Sequence, residues 1–219
     1  MLAGQAVRLY QGRYDSVELA AGEPLALVRR AAALGPPYVH VVALDAARDG
    51  GVALDLATAV VEAAAPTAVQ IGGGVRSVED ALAVLDAGAG RVVVGTAAFA
   101  QARLERFVEA VGDRLVVSVD IADGCVQTAG WTQQSLPYET APARCEAAEV
   151  ETIVCTAIDR DGTRTGPDLE LLARVRERFT GAVLAAGGTR DRADVDALRA
   201  LGLDGVVVGR AWIEGTLAL

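Results

Sequence analysis

Gly73-Gly74-Val75-Arg76 with Val92-Val93-Val94-Gly95, and Gly187-Gly188-Thr189-Arg190 with Val206-Val207-Val208-Gly209, are the stretches that decide the fold. At an offset of 114 residues the two copies coincide at eleven positions, among them Asp80 on Asp194, Gly88 on Gly202 and Ala97 on Ala211. Eleven identities in so short a window mark an internal repeat of one supersecondary unit. Outward from these cassettes, short β-branched runs read as strands at Tyr38–Leu44, Ala68–Ile71, Val92–Val94, Leu115–Val119, Thr152–Thr156, Val183–Ala185 and Gly205–Val208. Amphipathic stretches such as Leu25–Leu34, Val78–Ala87 and Leu169–Arg178 fill the gaps, the last introduced by Pro167 and Asp168, which suit a helix start. Strands alternating with helices imply a parallel sheet with crossover connections. The fold expected is a single α/β domain over residues 1–219, a (β/α)8 barrel made of two half-barrels. Seven barrel strands are visible, so the first is expected to precede Met1, with Ala6–Leu9 a small hairpin strand after it; no final helix is expected after the eighth strand.

Composition narrows the chemistry. With 52% apolar residues and 24 glycines scattered between apolar runs, the chain reads as globular and ordered. A formal charge of −9 argues against a nucleic-acid binder, so an anionic ligand must be held by local backbone amides and a few placed arginines. Cys125, Cys145 and Cys155 are odd in number and lack zinc-like spacing, which reads as reduced thiols in the cytoplasm. Neither a leader nor an apolar span of membrane length is visible, and no membrane partner is expected. A single histidine, His40, leaves metal centres and Ser-His or Cys-His chemistry poorly supplied, so acid–base work falls to carboxylates. His40 lies inside a strand and reads as a packed structural imidazole.

In a parallel barrel the C-terminal ends of the strands face the active site, and Gly73, Gly74, Gly95, Gly187, Gly188 and Gly209 all fall there. Glycine lets backbone amides approach a phosphate closely, so the duplicated cassettes, with Thr96 and Arg210, predict two anion sites and a small-molecule bisphosphate substrate. Asp120 ends the strand Leu115–Val119, where a carboxylate backed by apolar walls suits a general acid or base; a turn aspartate is the plainer alternative. Thr156, Asp159 and Asp161 belong to the loop before Pro167, which reads equally as a solvated turn. Trp131, eleven residues after Asp120, can stack on a flat heterocycle or simply anchor its loop.

These residues resemble the ProFAR isomerase family of histidine biosynthesis, the phosphoribosylformimino-aminoimidazole carboxamide ribotide isomerases, over nearly the whole chain. The stretches that carry the resemblance are Val7-Arg8-Leu9-Tyr10-Gln11-Gly12, Val69 through Ser77, Arg91 through Thr96, Ser118-Val119-Asp120, Gly130-Trp131, Ile158 through Thr163 and Val208-Gly209-Arg210-Ala211. The cyclase subunit of imidazole glycerol phosphate synthase is a sister barrel with the same Asp-Arg-Asp-Gly-Thr loop; it lacks the Gly-Trp and the Val-Gly-Thr, so the isomerase is preferred. The resemblance implies an Amadori rearrangement without metal or organic cofactor, in a monomer. It also implies Asp120 as general acid, Thr156 and Asp161 as catalytic loop residues, and Arg8, Arg76 and Trp131 as substrate-binding residues.

The resemblance implies a second aspartate too, the general base, four residues before Gly4, as Asp120 stands four before Gly124. That slot falls immediately before Met1, so Met1 is expected to be internal to a longer reading frame whose upstream codons encode a first strand ending in Asp. Ala43 and Ala157 stand where the family usually has acidic residues, although His40 and Asp45 match, and a phosphosugar-binding barrel without turnover is the rival reading. Some relatives also isomerise phosphoribosylanthranilate through an arginine just before Gly-Trp; Ala129 stands there, which disfavours dual activity.

Overall fold

The computed structural model describes residues 1, 4–10, 13–20, 22–100, 103–128, 131 and 133–217, and for 8–10 and 13–20 the backbone alone. The chain divides into two compact units: residues 1–7 with 19–116, and residues 8–18 with 117–219. A hairpin of β1 (Val7–Tyr10) and β2 (Arg13–Ala20), most of it in the second unit, bears out the small strand expected near Ala6–Leu9.

In the first unit, α1 (Pro24–Ala32) leads into β3 (Tyr38–Val42), followed by α2 (Leu44–Asp49), α3 (Leu54–Ala64), β4 (Ala68–Gly72), α4 (Val78–Asp86), β5 (Arg91–Val94) and α5 (Leu104–Val111). β4 is the central strand, paired in parallel with β3 from Tyr38 on Ala68 to Val42 on Gly72, and with β5 from Gln70 on Arg91 to Gly72 on Val93. Helix starts follow local chemistry. Glu23 caps α1 ahead of Pro24, and Ser77 with Asp80 forms a reciprocal capping box on α4. α5 buries Leu104, Phe107 and Val111, the three- and four-residue spacing of an amphipathic helix.

The second unit repeats the scheme. β6 (Leu115–Ala122, in this unit from Val117), β7 (Cys125–Thr128) and β8 (Gln133–Pro137) form an antiparallel run; α6 (Thr140–Ala147), β9 (Thr152–Ala157), α7 (Leu169–Arg176), β10 (Ala182–Ala186), α8 (Arg192–Ala200), β11 (Gly205–Val207) and α9 (Arg210–Ile213) follow. β10 pairs in parallel with β9 and β11. All seven expected barrel strands are present, and parallel strands with helical crossovers place the chain in the α/β class of (β/α)8 barrels. Asp168 caps α7 by accepting the Leu171 N–H at 3.0 Å, as its position before the helix suggests.

Two details differ from the sequence expectation. Asp120 does not end its strand: Ile121 and Ala122 continue it by pairing with Val126 and Cys125. The turn between them is Asp123-Gly124 with φ of 51° and 71°, the two positive values that a type I′ hairpin turn requires. A short helix, α9, follows β11 where none was expected.

The cassettes have the same cause in both units. Gly73 and Gly74 have φ of 107° and 81°, Gly187 and Gly188 φ of 91° and 83°. A Cβ on Gly73 would run into the Ala43 carbonyl and one on Gly74 into the Gly51 carbonyl; Gly187 and Gly188 face the carbonyls of Ala157 and Gly166 in the same way. Each glycine pair thus lets one strand-to-helix loop pack directly on the backbone of the preceding one. Ala43 and Ala157, 4% and 2% exposed, are themselves related by the offset of 114 residues, so the repeat extends into these loops. Gly188→Ala adds a backbone collision to an unfavourable φ and is expected to cost more than about 2 kcal/mol. Gly202→Ala, at φ +77° with open space around it, is expected to cost only about 1–2 kcal/mol. Urea unfolding followed by circular dichroism checks the order, and equal midpoints for the two variants would contradict it.

Candidate active site

Along β6 burial alternates: Val117, Val119 and Ile121 are buried, while Ser118, Asp120 and Ala122 form the other, partly accessible face. Period-two geometry therefore puts Ser118 beside Asp120. The Ser118 hydroxyl donates to Asp120 Oδ1 at 2.8 Å. The β7–β8 loop brings Trp131 back over the same carboxyl, and its indole Nε1–H donates to Oδ2 at 2.8 Å. Thr156, buried on β9, gives a third hydrogen bond to Asp120. The structure thus brings together Asp120, Thr156 and Trp131, and adds Ser118, which lies within the quoted Ser-Val-Asp stretch but was not singled out.

Loss of water around Asp120 raises its pKa and outweighs the opposing hydrogen bonds from Trp131, Thr156 and Ser118; the charge of Asp161 raises it further. The thiol of Cys155, fully buried beside this carboxyl, is pushed far above the ordinary thiol range by burial, with the charges of Asp120 and Asp168 adding to the effect. It is an inert core group.

Asp161 sits in the loop after β9, which is folded tightly on itself. Its backbone N–H reaches the Ala157 and Ile158 carbonyls at 3.1 and 2.9 Å, and Thr163 Oγ1 donates to the Arg160 carbonyl at 2.8 Å. The loop is also tied to α9. Arg164 donates to Glu214 Oε2 at 2.7 Å, Arg210 Nε to Glu214 Oε1 at 2.9 Å, and Arg210 Nη1 to the Gly162 carbonyl. These two guanidiniums hold the Glu214 carboxyl below its usual range, the Arg210 hydrogen bond most of all. The Arg210 side chain is therefore already engaged, and what it can bring to an anion without rearrangement is its backbone.

The repeat is broken at its arginines. Arg190 makes a two-point pair with Asp194, Nε to Oδ2 at 2.9 Å and Nη2 to Oδ1 at 2.7 Å, and lies over Gly166. Arg76 occupies the equivalent position, but among the described residues Asp80 accepts only backbone N–H groups, those of Arg76 and Ser77 at 2.9 and 3.0 Å, in the α4 capping box. The exposed Arg76 guanidinium lies over Gly50 instead. Gly95 and Gly209 each precede a short helical turn, Thr96–Phe99 and α9. His40 meets Gln70 of the neighbouring strand, Nδ1 to Nε2 at 2.7 Å, inside the first unit. The side chain of Arg8, and Ala129 and Gly130, lie outside the described residues.

Residues 1–218 match the family described as histidine biosynthesis protein. Three curated relatives carry one name, 1-(5-phosphoribosyl)-5-((5-phosphoribosylamino)methylideneamino) imidazole-4-carboxamide isomerase. The protein of Listeria welshimeri is 37% identical over 99% of this chain and 91% of its own length. Those of Gloeobacter violaceus and Synechococcus sp. are 43% and 39% identical over 100% of this chain and 88% of theirs. The chain belongs to the histidine biosynthesis family that includes these isomerases.

Proposed function

We propose that this protein is the aldose–ketose isomerase that converts the phosphoribosylformimino-aminoimidazole carboxamide ribotide from its aminoaldose to its aminoketose form. The observation that carries the reading is the Asp120 carboxyl, shielded from water, raised in pKa and held at both oxygens by Ser118 and Trp131. An acid with such a raised pKa retains its proton nearer neutrality and can deliver it to the ribose ring oxygen. Ring opening gives the Schiff base, and loss of the C2 proton then yields the enolamine that becomes the aminoketose. Thr156 orients Asp120, and the charge of Asp161 favours the protonated acid.

Each unit is proposed to carry its own phosphate-binding loop: Gly73 and Gly74 with Gly95 and Thr96 in the first, and Gly187 and Gly188 with Gly209 and the Arg210 backbone in the second. Positive φ at the paired glycines supports this, since a backbone that carries no Cβ lets an anion approach closely. Arg76, which has no carboxylate partner among the described residues, is the cation proposed to serve the anion site of the first unit. The setting proposed is a cytoplasmic monomer; among the described residues no helix is long and apolar enough to cross a membrane.

Asp120→Asn is expected to lower kcat by at least about 10²- to 10⁴-fold while substrate binding survives, read by spectrophotometric conversion of the ribotide and by calorimetry. Near-normal turnover in this variant would remove Asp120 from the chemistry. The same substitution has a signed effect on stability. Because the folded pKa of Asp120 lies above its unfolded value, stability from this group is present in acid and lost as pH rises through the folded pKa. Asp120→Asn is therefore expected to raise Tm at neutral pH, with the gain shrinking in acid; thermal melts across that range check the sign.

A further inference from the structure

Trp131 and Ser118 hold the two oxygens of Asp120 with groups of different capability. An indole N–H only donates, so Oδ2 must keep a lone pair towards Trp131 in either protonation state. A hydroxyl donates or accepts according to how it is turned. Ser118 Oγ, 2.8 Å from Oδ1, can donate to the carboxylate and accept from the carboxylic acid without any heavy atom moving. In the acid form a proton on Oδ1 satisfies both partners: Ser118 accepts from it, while Oδ2 keeps its lone pairs for the indole. Ser118 is fixed for this task by strand geometry, two residues before Asp120 on the same face of β6.

We propose that Ser118 is a positioning residue that sets which oxygen of Asp120 carries the catalytic proton and stabilises the carboxylate left after that proton is donated. The proposal rests on Asp120 being the general acid. In the acid form Oδ1 bears the hydrogen, and the Ser118 oxygen accepts from it until substrate binds. When the O–H bond at Oδ1 breaks and its proton joins the ring oxygen, the bonding pair remains on Oδ1. Ser118 then rotates its own hydrogen onto that oxygen. Its hydroxyl proton stays on Ser118 throughout, so nothing is gained or lost at the serine. Thr156, on another strand, contributes a further hydrogen bond to the charged form but does not share the β6 face that locks Ser118 to Oδ1.

The test is the pH dependence of turnover, which a merely structural serine would not shift. Activity that needs protonated Asp120 falls as pH rises through its pKa. Losing a hydrogen bond to the charged form raises that pKa, so Ser118→Ala is expected to move the alkaline limb of kcat upward by about 1 to 2 pH units. A weaker acid donates less readily, so the plateau kcat should drop about 3- to 10-fold with KM little changed. Ser118→Thr, which keeps a hydroxyl, should restore the wild-type limb. Ser118→Cys, with a weak S–H donor, should lie between wild type and Ser118→Ala, and serves if the alanine variant does not fold. If Asp120→Asn is inactive yet neither Ser118→Ala nor Ser118→Cys moves the limb, the role of Ser118 is overturned and the acid assignment stands. If Asp120→Asn turns over normally, both are overturned.

Discussion

Backbone packed directly on backbone is the constraint from which the rest of this structure follows. In each unit a pair of glycines after one strand lies against carbonyls of the preceding strand-to-helix loop, Gly73 and Gly74 on Ala43 and Gly51, Gly187 and Gly188 on Ala157 and Gly166. No side chain fits between them, and the positive φ of all four glycines is unfavourable to any other residue. The contact holds two consecutive loops directly against each other. Phosphate recognition is thus proposed to reuse a feature that packing already requires.

Asp120 shows the opposite economy. A shielded carboxyl costs stability, and three hydrogen-bond donors are gathered around it without cancelling the cost. The hairpin turn at Asp123-Gly124 is what makes the cluster possible. It sends β7 back along β6, and the loop beyond β7 returns Trp131, eleven residues later in the chain, to within 2.8 Å of the carboxyl. Destabilised acids held by directional donors are a common feature of sites that move protons near neutral pH.

The two units have diverged where chemistry demands it. Asp80 and Asp194 both serve the start of the helix that follows the glycine pair, yet only Asp194 also binds its arginine side chain. One copy became a closed ion pair and the other left Arg76 as a surface cation. Arg210 was drawn into a third arrangement, in which Glu214 bridges it to Arg164 and so ties α9 to the loop bearing Asp161.

Much of this was legible in the residue order. Valine runs broken by glycine at a fixed offset state the repeat, the seven parallel strands and the α/β class, because hydrophobic period and glycine placement are local properties of the chain. The Asp-Gly dipeptide at 123–124, a hairpin signal, was not singled out, and the irregular register of β7 on β8 gives too weak an alternation for those strands to stand out. The pairing of Arg190 where Arg76 has no carboxylate partner among the described residues, and the engagement of Arg210, were not legible. The same Arg-x-x-x-Asp spacing pairs in one copy and not in the other, and Arg210 also meets Gly162, 48 residues away. The sequence by itself determined the seven parallel strands and the candidate carboxylate. Only the tertiary structure decided which oxygen each donor takes: period two places Ser118 on the face of Asp120, but Ser118 on Oδ1 and Trp131 on Oδ2 are settled by the return of Trp131 over the strand, which no local pattern encodes.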